Sequence, residues 1–87
     1  MKIVAKPIEM VAWFSEEGIP RPLKFKIKEQ DDISNIIKID HVIERGKTNI
    51  AGIQAFVYKC QSVINGVEKR YELKYELDKC KWILFKI

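Results

Sequence analysis

Asn65-Gly66, set between two runs of alternating apolar and polar residues, constrains this chain more than any other feature. Both central residues of a two-residue type I′ turn need positive φ, which Asn and Gly supply at least steric cost. Such a turn fixes the register of the strands it joins. Ile64 then pairs with Val67 and, counting back, Cys60 with Tyr71, Tyr58 with Leu73, Phe56 with Tyr75 and Gln54 with Leu77. These pairs share one side of the hairpin. The other side sets Lys59 opposite Glu72, Gln61 opposite Arg70 and Ala55 opposite Glu76. A one-residue slip would exchange the two sides, so the separation of apolar from charged residues supports this turn and register.

A second tight turn at Asp78-Lys79 extends the pattern to a third strand. Leu77 then meets Cys80, Tyr75 meets Trp82, Leu73 meets Leu84, and Glu76 meets Lys81 on the outside. Phe56, Tyr75 and Trp82 form a row across three strands, the kind of cross-strand aromatic contact that stabilises a sheet. This row is the expected centre of the core. The same register separates the two cysteines. Cys60 and Cys80 lie at levels six residues apart, roughly 20 Å of strand rise, whereas a disulfide needs Cα atoms within about 7 Å. Without a Cys-x-x-Cys pair and with a single histidine, they read as free, packed thiols rather than zinc ligands.

Towards the N-terminus, Ile8 to Phe14 is apolar in both phases, as expected of a strand covered on both sides for part of its length. Ser15-Glu16-Glu17-Gly18 reads as a hairpin loop. The next run alternates, with Leu23, Phe25 and Ile27 on one face and Lys24, Lys26 and Lys28 on the other. Pro20 and Pro22 stand at its start, where a strand tolerates a missing N–H. Gln30-Asp31-Asp32 reads as a loop. Ile33 to Arg45 fits a helical stripe with Asp32 as N-cap, and also a strand face of Ile37, Ile39, His41 and Ile43; its β-branched residues favour the strand. Gly46-Lys47-Thr48-Asn49 reads as a loop.

The fold expected is all-β: one domain over residues 1–87, a six-stranded meander curled into an SH3-like or OB-like barrel. A short helical turn near 32–37 is the alternative for the ambiguous stretch. The composition, 47% hydrophobic and 32% charged, is that of a globular domain. Lys6, Pro7 and Glu9 interrupt any secretory h-region, and no run approaches the roughly 20 apolar residues that span a bilayer. A cytoplasmic chain with no membrane partner is therefore expected.

The residues carry little catalytic signal. His41 has no nucleophile or acid placed beside it, and Asp31-Asp32 reads as turn or cap residues, with a metal-binding pair as the remote alternative. Four scattered glycines match neither a phosphate loop nor a dinucleotide fingerprint. No catalytic residue, metal ligand or cofactor is expected. The basic excess says more. With a net charge of +4, Arg21, Lys24, Lys26 and Lys28 form a row on the outer face of the second strand, and Trp13 or Phe14 lies exposed beside it. Cations with an exposed aromatic suit single-stranded nucleic acid, although a lysine-rich face also guards an edge strand and maintains solubility. The outer residues Lys59, Glu68, Arg70, Glu72, Lys74 and Glu76 alternate in sign and read as a solvated, ion-paired face. The expected function is a non-catalytic module for a protein partner, with single-stranded nucleic acid as the alternative and a small enzyme using His41 as a third reading. A homodimer through Ile83, Phe85 and Ile87 is also expected, because an 87-residue monomer has little with which to cover them.

The order Lys6-Pro7-Ile8, Arg21-Pro22-Leu23-Lys24-Phe25, the Ile36 to Ile43 run, Tyr71-Glu72-Leu73 and Trp82-Ile83-Leu84 resembles a group of small uncharacterised bacterial β proteins. In these, a proline-led first strand, an x-P-x-x-F second strand and a closing Y-x-L … W-x-L hairpin recur. Some are encoded near lesion-bypass DNA polymerase genes, so the resemblance implies a role around DNA repair. It covers most of the chain, least well from Asp31 to Asn49, and carries no catalytic or binding residue with it.

Overall fold

A computed structural model describes residues 1–28 and 34–87. It contains strands β1 (Ile3–Phe14), β2 (Pro20–Lys28), β3 (Ser34–Lys38), β4 (His41–Ile50), β5 (Ile53–Ile64), β6 (Val67–Glu76) and β7 (Lys81–Lys86). They form one antiparallel sheet in the order β3-β2-β1-β7-β6-β5-β4, curled into a half-barrel. The all-β curled sheet expected from the sequence is thus the fold, with seven strands in place of six. The described residues contain no helix, and residues 34–38 of the ambiguous stretch are strand. The proposed Asp32 cap and the Gln30-Asp31-Asp32 loop lie outside the described residues.

The Asn65-Gly66 turn has φ of 52° and 77°, and β5 pairs with β6 in the expected register from Ile64↔Val67 to Ala55↔Glu76. The third strand follows, with Tyr75↔Trp82 and Leu73↔Leu84. Inward from these strands lie Tyr58, Cys60, Tyr71, Leu73, Tyr75, Trp82 and Leu84, all buried. Trp82 packs on Tyr75 and Tyr58 with ring centroids 4.9 and 5.4 Å apart. Phe25 of β2 closes the other side of the core, edge-on to Tyr71 at 5.6 Å. Cys60 and Cys80 are free, the first buried and the second exposed.

The extra strand comes from a corner. The isoleucine-rich run bends at Ile39-Asp40, so that its first half pairs with β2 and its second half with β5. The two edge strands of the sheet are therefore consecutive in the chain. The Ile39 N–H donates to Leu23 O (2.9 Å) and the Asp40 N–H to Gln61 O (3.1 Å). Ser62 Oγ donates to Lys38 O (2.7 Å), and Asp40 Oδ2 accepts from the Val63 N–H (2.9 Å). These bonds fasten the curled sheet to itself at one level.

Two expectations from periodicity are corrected. Gly46-Lys47-Thr48-Asn49 is not a loop but the second half of β4, and the chain reverses at Ala51-Gly52, with φ of 52° and 83°. Alanine seldom adopts a left-handed conformation, so this turn has no signature. The closing loop spans residues 77–80 rather than two residues. Leu77 turns its N–H to Gln54 O (3.0 Å) instead of continuing the ladder to Cys80.

Candidate functional site

Residues inserted into the ladder at Leu23 and Phe85 decide what the sheet's faces carry. In β2, Val11 pairs with Lys24 but Ala12 with Pro22, leaving Leu23 as a bulge. The bulge switches the phase. Pro20 and Pro22 turn inward together with Phe25, although their numbers differ in parity. Arg21 consequently shares the outer face with Lys24, Lys26 and Lys28. Across β1, Trp13 lies opposite Arg21, Val11 opposite Lys24 and Glu9 opposite Lys26. Across β3, Lys38 lies opposite Lys24 and Ile36 opposite Lys26. The predicted row of cations is thus brought together, and Lys38 joins it.

The apolar members of this face are open to solvent. Trp13 is 66% exposed, Val11 51% and Ile36 69%. Phe14, on the opposite side of β1, is also half-exposed and sets its edge against Tyr75 at 6.1 Å. Arg21, Lys24, Lys26 and Lys38 meet no carboxylate within salt-bridge distance among the described residues. Glu9 is the single acid within the patch among the described residues. The β5–β7 outer face differs, with Lys59 on Glu44 of β4 (3.6 Å) and Lys86 on Glu72 (4.0 Å).

Beside Trp13 and Arg21 the half-barrel gapes. Prolines 20 and 22 have no N–H to offer a neighbouring strand, so no strand pairs with the first half of β2 on the side away from β1. The Pro20 carbonyl, which faces this gap, accepts the Tyr58 hydroxyl from across the sheet. A cleft of about 480 Å³ remains, lined by Trp13, Arg21, Val42, Arg45 and Tyr58 among others. Arg45 of β4 faces inward over Phe56, its guanidinium carbon 5.9 Å from the ring centroid. Lys47 lies on the same face, opposite Phe56. Sequence reasoning missed Arg45 and Lys47 because it placed the second in a loop. Burial pushes the Tyr58 hydroxyl and the Cys60 thiol up to about 12, so neither is an available anion near neutrality.

The proposed dimer residues are divided. Phe85 is a bulge, since Leu84 pairs with Leu73 and Lys86 with Glu72. This turns Ile87 inward against the core. Ile83 and Phe85 stay outside and line a second cleft of about 290 Å³ with Ile50 and Ile53. Lys74 Nζ covers the Phe85 ring at 3.6 Å. His41 is exposed, opposite Gln61 at the start of β4. No group of three or more His, Cys, Asp or Glu able to hold a metal occurs among the described residues. No helix among them is long and apolar enough to cross a membrane.

No protein-family model matches the chain, and neither a curated protein nor a solved structure does.

Proposed function

We propose that this chain is a non-catalytic binding module whose β1–β3 outer face takes single-stranded nucleic acid. One observation carries the reading: an exposed tryptophan paired directly with Arg21, at the head of a row in which Arg21, Lys24, Lys26 and Lys38 meet no carboxylate among the described residues. Alternate residues along β2 rise by roughly 7 Å, so Lys24 and Lys26 offer successive contacts to a phosphodiester chain. Trp13 offers a base a stacking surface, and such stacking tolerates any sequence. The DNA-repair setting implied by the resemblance agrees with this ligand. A protein partner is the second reading, favoured by the free edge of β4.

Trp13 is also the reporter, because the only other tryptophan, Trp82, is 8% exposed within the core. Titrating single-stranded oligothymidylate into the protein at low salt is expected to quench Trp13 fluorescence. Affinity is expected to fall with salt at about −0.7 log unit per neutralised phosphate, and so with a slope near −3 for four contacts. Unchanged fluorescence at the lowest salt and highest oligonucleotide concentration would remove the proposal.

A further inference from the structure

Edge strand β4 presents a site of a different kind. It pairs with β5 on one side only, and no backbone group from 43 to 50 bonds to any further element among the described residues. Which groups are free follows from the turn. A two-residue loop makes its flanking residues a hydrogen-bonded pair, here Ile50↔Ile53, and such pairs then alternate along an antiparallel ladder. Thr48, Gly46 and Glu44 therefore bond to β5. Asn49, Lys47 and Arg45 point their N–H and C=O groups at the open edge. The same residues turn their side chains to the inner face, where Arg45 lines the cleft together with Arg21.

We infer that β4 accepts an extended acidic peptide as an added antiparallel strand. Main-chain bonds to Arg45 and Lys47 would hold it, with an acidic side chain directly opposite each. Charge selects this occupant over a second copy of the chain. Two-fold pairing of β4 with itself about Gly46 sets Arg45 against Lys47 twice, and pairing about either cation sets it against its own copy. The prolines of β2 leave the added strand without a competitor from inside the molecule.

The test uses a labelled peptide alternating glutamate and valine, followed by fluorescence anisotropy. Glutamates opposite Arg45 and Lys47 must also aim their own N–H groups at β4. N-methylation of the glutamates is therefore expected to weaken binding at least tenfold, and N-methylation of the valines to leave it nearly unchanged. In the protein, Lys47→Pro removes an N–H the ladder does not use and should abolish binding, whereas Lys47→Thr should cost only a few-fold. Equal affinity for all three peptides would show mere charge attraction and overturn the inference. So would a dimer in sedimentation that Lys47→Pro dissociates, or oligothymidylate binding that is lost in Lys47→Pro and kept in Lys47→Thr.

Discussion

The β5–β7 part of the sheet and its β1–β3 part are built from the same antiparallel pairing, but their outer faces are arranged oppositely. On β5–β7, cations alternate with acids, Lys86 contacts Glu72, Lys59 reaches Glu44 of β4, and Lys74 lies over Phe85. On β1–β3, Arg21, Lys24, Lys26 and Lys38 stand around Trp13, Val11 and Ile36, with Glu9 as the single acid among the described residues. A face that neutralises itself has little left for a partner. A face of one sign with an exposed tryptophan leaves both its charge and its aromatic surface available. The inner faces differ as well. The β5–β7 side carries most of the core, and β2 contributes chiefly Phe25.

Substitutions can separate these roles, and the largest effect is expected in the core. Leu73 is fully buried between Tyr58 and Leu84 in register. Leu73→Ala should therefore cost about 2–5 kcal/mol in denaturant unfolding. A loss below about 1 kcal/mol would show that β5–β7 is not the principal core. Next comes Tyr58→Phe, which strips the hydroxyl from the buried Pro20 carbonyl across the gap. It should cost about 1–3 kcal/mol, the usual consequence of leaving a buried acceptor unmet.

Alkaline pH should weaken the same side of the molecule. Burial raises Tyr58 and Tyr71 from 10.0, and Cys60 from 9.0, to about 12. The folded chain thus holds protons that the unfolded chain has released. Stability should be constant below pH 9 and fall steadily from there to about pH 12. Thermal unfolding followed across that window checks this, and a flat profile would contradict the burial of all three groups. The smallest stability effect is expected on the β1–β3 outer face, where Lys26→Ala should change unfolding free energy by no more than about 0.5 kcal/mol.

The same contrast explains what could be read from sequence. The β5–β6 register was legible because Asn65-Gly66 announces a two-residue turn and period-two alternation then carries through every pair, and β7 follows the same pattern from Glu76↔Lys81 to Leu73↔Leu84. Where the chain departs from period two, the residues give no warning. The Leu23 bulge brings Arg21 onto the lysine face, the Phe85 bulge sends Ile87 into the core, and Ala51-Gly52 reverses the chain without an asparagine. The Arg21, Lys24, Lys26 and Lys28 row was visible as composition on one strand. Lys38 was hidden in an isoleucine run with two readings, and Arg45 and Lys47 depended on where β4 ends.

Charge reversal on the two faces tests the division between them most directly. Lys24→Glu with Lys26→Glu, and Lys59→Glu with Arg70→Glu, each lower the net charge by 4, from +4 to 0. Oligothymidylate binding, measured by Trp13 fluorescence at one low salt concentration, is predicted to vanish in the first variant and to stay within a few-fold of the parent in the second. Equal losses in both would show that overall charge, and not the β1–β3 face, governs binding.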